Sequence, residues 1–186
     1  HKSYKLKLCS NYMANILPFE RETERKSFLI VPLTEEKAYH HAGEILALEH
    51  NWKEIGDQPW TLENLTLDIP HKWELSHLAL LEEDQSVFGY QIGSLRDGIL
   101  FLNKIVVDSS KRASGAGRAL IKAFLEKGLE KGLTRVRFRV RVDNPAVKFY
   151  EKLGFSRREA LDYTRKDGVA SYFYDNDISY MLQNLR

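Results

Sequence analysis

Cysteine is almost absent from this chain: Cys9 stands alone among 186 residues. That excludes an intramolecular disulfide and any metal cluster built from several thiolates. A long apolar run able to span a bilayer is missing too, and no signal-type segment is evident, so the cytoplasm is the expected compartment. Nor does one sign of charge dominate. Lysine and arginine total 28 against 26 acidic residues, a formal charge of +2. The whole molecule therefore makes no general demand for nucleic acid or anionic lipid, and any basic site has to be local. His40, His41, His50, His71 and His77 fall into no metal-ligand spacing and no His-Glu-x-x-His stretch accompanies them, so no metal is expected.

What is present suits one domain. A chain of this length that is 43% hydrophobic and carries three Trp can fill a single core. Residues 1–26 are polar and charged around one apolar patch, Ile16 to Phe19, and read as an N-terminal arm or extra edge strand ahead of a domain over 27–186. The chain opens on His1, and its first residues are given no functional weight.

Along the rest, strand and helix signals alternate. Ser27 to Leu33 reads as a strand; Thr34, followed by Glu35 and Glu36, caps a helix to about His50 with Ala42, Ile45, Leu46 and Trp52 on one side. Thr61 opens a second, short helix that ends before Pro70. Three strands follow, Ser76 to Leu81, Val87 to Leu95 and Ile99 to Val107, joined by Glu83-Asp84-Gln85-Ser86 and Arg96-Asp97-Gly98, which carry hairpin chemistry and so imply antiparallel pairing. Leu120, Ile121, Phe124, Leu125 and Leu129 recur at helical spacing between Gly117 and Lys131, and Gly132 sits where a helix-ending glycine belongs. Arg135 to Val142 is the next strand, parallel to the one ending at Val107 because a helix links them. A short helix over Asn144 to Leu153, an extended piece after Phe155 and a last strand near Ile178 to Leu182 complete the reading.

The connection after Val106-Val107 is the most telling. In Lys111-Arg112-Ala113-Ser114-Gly115-Ala116-Gly117-Arg118, two glycines one residue apart leave the backbone unshielded where a helix begins. Consecutive N–H groups there face one concave, partly positive space, a setting for an anion. No Lys-Ser/Thr follows a second glycine and no third glycine completes a dinucleotide fingerprint, which argues against ATP and NAD. About thirty residues on stands Asn144-Pro145-Ala146-Val147-Lys148-Phe149-Tyr150-Glu151-Lys152-Leu153-Gly154-Phe155.

The pattern Arg112-x-x-Gly115-x-Gly117 after an apolar strand, followed in order by Asn144, Phe149-Tyr150 and Leu153-Gly154-Phe155, resembles the GCN5-related N-acetyltransferase (GNAT) family over roughly residues 27 to 185. The resemblance implies an α/β fold: a single domain with a mixed central sheet, antiparallel N-terminal strands, a parallel central pair and helices on both faces. It implies an acetyl-CoA-dependent N-acetyltransferase that moves acetyl to a primary amine, on a small molecule or a peptide, by direct attack in a ternary complex. By that resemblance the diphosphate of acetyl-CoA sits on Arg112, Ala113, Ser114, Gly115, Ala116, Gly117 and Arg118. The pantetheine arm pairs with the strand around Ile105, Val106 and Val107, with the Ile105 N–H as oxyanion donor; Asn144 contacts the coenzyme, and Tyr150 protonates the leaving thiolate. A phenol with an ordinary pKa of about 10 stays protonated at neutral pH and suits that role. Asn144 has a second reading, the cap of the following helix.

The family's usual carboxylates are missing. Phe101 occupies the position of a Glu found on the fourth strand of some members, and Arg139 that of a Glu on the fifth strand of bacterial protein N-terminal acetyltransferases. Pro59-Trp60-Thr61 and Tyr172 to Asp177 with Met181 nevertheless look like the acceptor-side segments of that group. A water relay ordered by Glu82, Asp175 or Tyr172 is the expected substitute base. Two alternatives stand beside the enzyme: a CoA-binding module without turnover, and an acetyltransferase acting on a nucleic-acid-linked amine through Arg135, Arg137, Arg139 and Arg141, which alternate along one strand face. Ion pairing at a solvated surface explains those arginines more simply, so nucleic acid is disfavoured as a partner. Tyr163, Tyr172, Phe173 and Tyr174 either wall an acceptor pocket or pack the core. A homodimer is a further possibility, and no membrane association is expected.

Overall fold

The computed structural model describes residues 27–50, 58–166 and 168–185. Cys9, the 1–26 arm and Trp52 lie outside them. Seven strands form one sheet in the order β1-β2-β3-β4-β5-β7-β6: β1 Phe28–Pro32, β2 His77–Leu81, β3 Val87–Arg96, β4 Ile99–Val107, β5 Arg135–Arg141, β6 Tyr163–Thr164 and β7 Ala170–Asp177. Only β4 and β5 are parallel, as the intervening helix requires; every other pairing is antiparallel. The β3–β4 hairpin turns on Asp97 and Gly98, both left-handed at φ 50° and 73°, the geometry of a two-residue hairpin loop.

Helices cover both faces. On one side lie α1 Glu35–His40, α2 Ala42–Glu49 and α3 Leu62–Thr66, enclosing Leu33, Ile45, Leu48, Leu65, Tyr90, Ile92 and Val106. The other side carries α4 Ala116–Glu130, α5 Ala146–Lys152 and α6 Ile178–Asn184. Here Phe124, Leu125, Phe138, Tyr150, Tyr174 and Met181 form the larger core, with the Phe138 and Tyr174 rings stacked at 4.7 Å, a contact worth about 1 kcal/mol beyond area burial.

Two expectations are corrected. The helix over 35–50 is two helices meeting at His41, which leaves helical geometry at φ −99° and ψ 14°. The last strand expected near Ile178 to Leu182 is instead α6. Asp177 ends β7 by accepting a hydrogen bond from the Tyr180 N–H at 2.8 Å, and Ile178, Met181 and Leu185 are all buried. Their spacing of three and four follows a helical period, and capping by an aspartate contributes about 1 kcal/mol.

Two irregularities in β4 shape the site. Ile92 pairs with Lys104 and Gly93 with Leu102, so Asn103 is an extra residue. A bulge of one residue reverses the alternation. Leu100 and Leu102 enter the α4-side core, whereas beyond the bulge Val106 faces α2 and Ile105 and Val107 face α4. The second irregularity is that β4 and β5 pair only at Leu100 with Val136 and Phe101 with Arg137. From there to Val107 the two strands diverge.

Candidate active site

That divergence leaves one edge of β4 without a strand partner. The Asp108 N–H donates to the Phe88 carbonyl at 2.8 Å, and Val106 stands opposite Tyr90 in the same ladder. Antiparallel alternation then turns the N–H and C=O of Ile105 and Val107 away from β3, into the gap.

The chain next makes a single 3₁₀ turn over Ser109–Lys111, capped by Asp108, whose carboxylate accepts from the Ser110 N–H at 2.8 Å. Ala113 and Gly115 are left-handed at φ 69° and 92°. Backbone that alternates in hand curls its N–H groups toward one point. Among the described residues, the N–H groups of Ala113, Gly115 and Gly117 find no protein acceptor, whereas that of Ala116 is held by Ser114 Oγ at 3.3 Å. α4, 15 residues long, directs the positive end of its dipole into the same space. Gly117 keeps that space open: a Cβ there would lie 3.1 Å from Cζ of Phe149.

Together these features wall a cavity of about 430 Å³ lined by Ile105, Val107, residues 111–118, Asn144, Pro145, Ala146 and Phe149. No carboxylate lines it, and Lys111, Arg112 and Arg118 do. Arg118 also donates to the Asn184 carbonyl of α6 at 3.3 Å. An anionic, elongated ligand with an amide-bearing arm fits these walls: unpaired N–H groups and three cations at one end, a free strand edge at the other.

The structure thus brings Ile105, Val107, Arg112, Ala113, Ser114, Gly115, Ala116, Gly117, Arg118 and Asn144 to one cavity. Val106 is 1% exposed and points into the α2-side core; only its flanking residues line the cavity. The Asn144 side chain accepts from the Ala146 N–H at 2.8 Å, so it caps α5 while facing the cavity. Tyr150 is not in the lining. It sits one residue beyond Phe149 and is 5% exposed, its ring 4.5 Å from Phe138 and 5.3 Å from Phe149. No described group hydrogen-bonds its hydroxyl, yet the oxygen is not among buried atoms left without a partner, so it keeps accessible surface. Burial, with Tyr174 beside it, pushes the phenol well above its ordinary range.

The relay candidates separate. Asp175 is clasped by Arg135, at 2.9 Å from Nε and 2.6 Å from Nη2, and by Arg137 Nε at 3.0 Å, which marks it as an ion-pair partner. Glu82 bonds Ser27 at the far edge of the sheet. Tyr172 lies under Arg157, whose Cζ is 3.6 Å from the ring centroid. Strand alternation divides the aromatic cluster: Tyr174 and Tyr172 face the α4-side core, while Phe173 and Tyr163 lie beneath Arg139 on the other face. Sequence reasoning missed a buried carboxylate near the gap. Glu49, fully buried at the end of α2, accepts from the Trp60 N–H at 2.8 Å, from Lys104 Nζ at 2.9 Å and from the Tyr90 hydroxyl. Its only signal in sequence was a polar residue continuing an apolar helix face.

The fold and cavity suit a CoA-dependent acyltransferase, and comparison with known proteins assigns that class. The profile of the Acetyltransferase (GNAT) family matches residues 37–155, and the chain belongs to that family. It is an acetyltransferase with acetyl-CoA as donor. Three of the solved structures that share its fold illustrate the likeness. Ard1 from Thermoplasma volcanium is 24% identical, covers 81% of this chain and 97% of its own, and has a TM-score of 0.65. The ribosomal-protein-S18-alanine N-acetyltransferase from Escherichia coli is 21% identical, with 82% and 94% covered and a TM-score of 0.62. PaiA N-acetyltransferase from Thermoplasma acidophilum, solved in complex with coenzyme A, is 17% identical, with 81% and 99% covered and a TM-score of 0.62. No curated protein matches the chain at significant similarity. Family membership favours the enzyme over a binding module without turnover, and no described helix is long and apolar enough to cross a membrane.

Proposed function

We propose that this acetyltransferase moves the acetyl group directly to a primary amine in a ternary complex, without an acetylated enzyme, in the cytoplasm. The observation that carries this is the continuity of unpaired N–H groups: Ala113, Gly115 and Gly117 at the cationic end, then Val107 and Ile105 along the free edge of β4. The loop amides, with Arg112 and Lys111, hold the diphosphate at the start of α4. Val107 and Ile105 accept the pantetheine amides as an added strand. At its end the Ile105 N–H points at the thioester oxygen, where one such donor lowers a transition state by roughly 3 kcal/mol.

The amine nitrogen attacks the thioester carbon, the C–S bond breaks, and the departing sulfur takes the Tyr150 hydroxyl proton. The Tyr150 phenolate recovers a proton from solvent, and the amine loses one to water. Tyr150 packs behind the wall in the cluster against which Ile105, Ala146 and Phe149 lie, so its reading rests on that hydroxyl, which has no hydrogen-bond partner among the described residues and keeps accessible surface.

Following thiol release from acetyl-CoA with a panel of alkyl amines, amino acids and free-amine peptides, and the mass of enzyme and product, tests this reading. Amine-dependent release with acetylated product and unmodified protein is expected. Tight CoA binding with no release across the panel, or an acetylated protein that passes its group to amine in a second step, overturns it.

A further inference from the structure

The arginine face of β5 has no part in acetyl transfer as described above. Its side chains stand opposite the α4-side core, and the pairing of β5 with β4 ends at Arg137. Beyond that point the face borders the gap from which a thioester held along β4 reaches the other side of the sheet. Charge there is poorly balanced. Arg141 has its own partner, Asp143, at 2.8 Å, and Lys104 across the gap has Glu49. Arg135 and Arg137 share Asp175, with Arg137 giving it Nε and leaving both Nη groups without a described partner. Arg139 has no carboxylate among the described residues; its Cζ lies 4.7 Å from the Tyr163 ring and 5.4 Å from the Phe173 ring. From β3, Arg96 joins the same face, its Cζ 4.3 Å from the ring of Phe101, the residue paired with Arg137.

Of the four guanidiniums on this face only Arg135 and Arg137 meet the Asp175 carboxylate. Arg96 is held by Asn103 Oδ1 at 2.6 Å, and Arg139, beside the gap, has no described carboxylate; Arg139 and Arg96 are exposed. A surface tiled by ion pairs has no need of this excess. Aromatic rings beneath Arg139 and the single Asp175 contact of Arg137 hold both cations in place while their N–H edges stay open, the arrangement that receives a planar anion.

We propose that Arg137 and Arg139 form the anion-recognising end of the acceptor site, so that the preferred acceptor is a primary amine that also bears a carboxylate. This rests on the reading of the protein as an amine acetyltransferase. The carboxylate belongs either to a small amino acid or to an acidic residue near a peptide N-terminus, and the test separates these.

Matched acceptors decide it: β-alanine against β-alaninamide, and free-amine peptides with Asp against Asn in second place, at saturating acetyl-CoA. At least one carboxylate acceptor is expected to show kcat/KM roughly tenfold above its amide, mainly through KM, with the preference falling at high salt. Arg137→Gln and Arg139→Gln each remove most of that preference and leave amide acceptors unchanged; Lys122→Gln on α4 changes neither. Amides used as well as carboxylates in both pairs, or a preference that survives the double variant, overturns the proposal. A binding arm works without turnover: N-acetyl-β-alanine titrated into CoA-loaded protein binds roughly tenfold more tightly than N-acetyl-β-alaninamide, and the double variant erases the difference. Equal binding of the two, with no turnover preference in the peptide pair, overturns it as well. A CoA-loaded protein that binds the carboxylate but transfers no acetyl refutes the transferase reading and leaves the anion site standing.

Discussion

Gly117 and Phe149 are in contact across the mouth of the cavity: a methyl group on Gly117 would lie 3.1 Å from Cζ and 3.3 Å from Cε2 of the ring. The first helical turn of α4 and the wall formed by α5 can approach this closely only because residue 117 has no side chain. The space between them is where the diphosphate is expected to lie.

Gly117→Ala therefore should displace the Phe149 ring into the cavity. Calorimetry with CoA is expected to show affinity lowered about tenfold, or ~1.4 kcal/mol. The thermal midpoint should hold or rise slightly, because alanine favours a helix more than glycine does. Unchanged affinity would move the coenzyme away from this wall.

Tyr150→Phe removes a hydroxyl that no described residue holds, so folding stability should be unchanged while kcat falls about 100-fold or more. Because burial holds the Tyr150 phenol above its ordinary pKa, it stays protonated through pH 9. The expected profile of kcat/KM in the parent rises with pH as the acceptor amine loses its proton and shows no descending limb from Tyr150 below about pH 10. A descending limb between pH 7 and 9 that vanishes in Tyr150→Phe would contradict the raised pKa, and an undiminished kcat in Tyr150→Phe would refute the assignment.

Glu49→Gln leaves the Lys104 ammonium, whose side chain is 15% exposed, without its carboxylate. Breaking one side of a buried pair costs about 3 kcal/mol, measurable as a lower denaturant midpoint. The double variant Glu49→Gln with Lys104→Met should recover part of the loss, since no uncompensated charge remains.

Lys72 gives a pH dependence of opposite sign to that of a paired lysine. It is 1% exposed and donates to the Leu67 carbonyl at 2.8 Å and to the Leu65 carbonyl. Burial lowers its pKa from 10.5 to about 8, with Asp68 and Glu35 opposing. Between those two values the unfolded chain binds a proton that the folded protein does not, so stability gains from Lys72 as pH rises through that window. The stability of the parent relative to Lys72→Met should therefore increase from pH 7.5 to pH 10. A difference that shrinks over that range would contradict the depressed pKa.

Much of the glycine-rich end of the cavity was legible in the chain itself. Gly115 with φ 92° and the apolar spacing of α4 are local demands written at nearby positions, whereas the crowding of Gly117 by Phe149 is tertiary. Asp97-Gly98 fixed its hairpin for the same reason. α6 was misread because the alternating aromatics of β7 run up to Asp177, and only the capping bond to Tyr180 and the burial of Ile178 and Met181 show where the period changes.

Residue order alone determined the glycine turn before α4, the parallel central pair and the family, because each depends on neighbours in the chain or on a crossover of known hand. Tertiary structure decided the rest. The bulge at Asn103 turns Lys104 toward Glu49 and Ile105 toward the cavity, and Asp175 is drawn to two arginines of another strand. Such outcomes depend on which strands meet and in what register, and a pairing between residues 38 or 40 positions apart leaves no periodic trace in either segment.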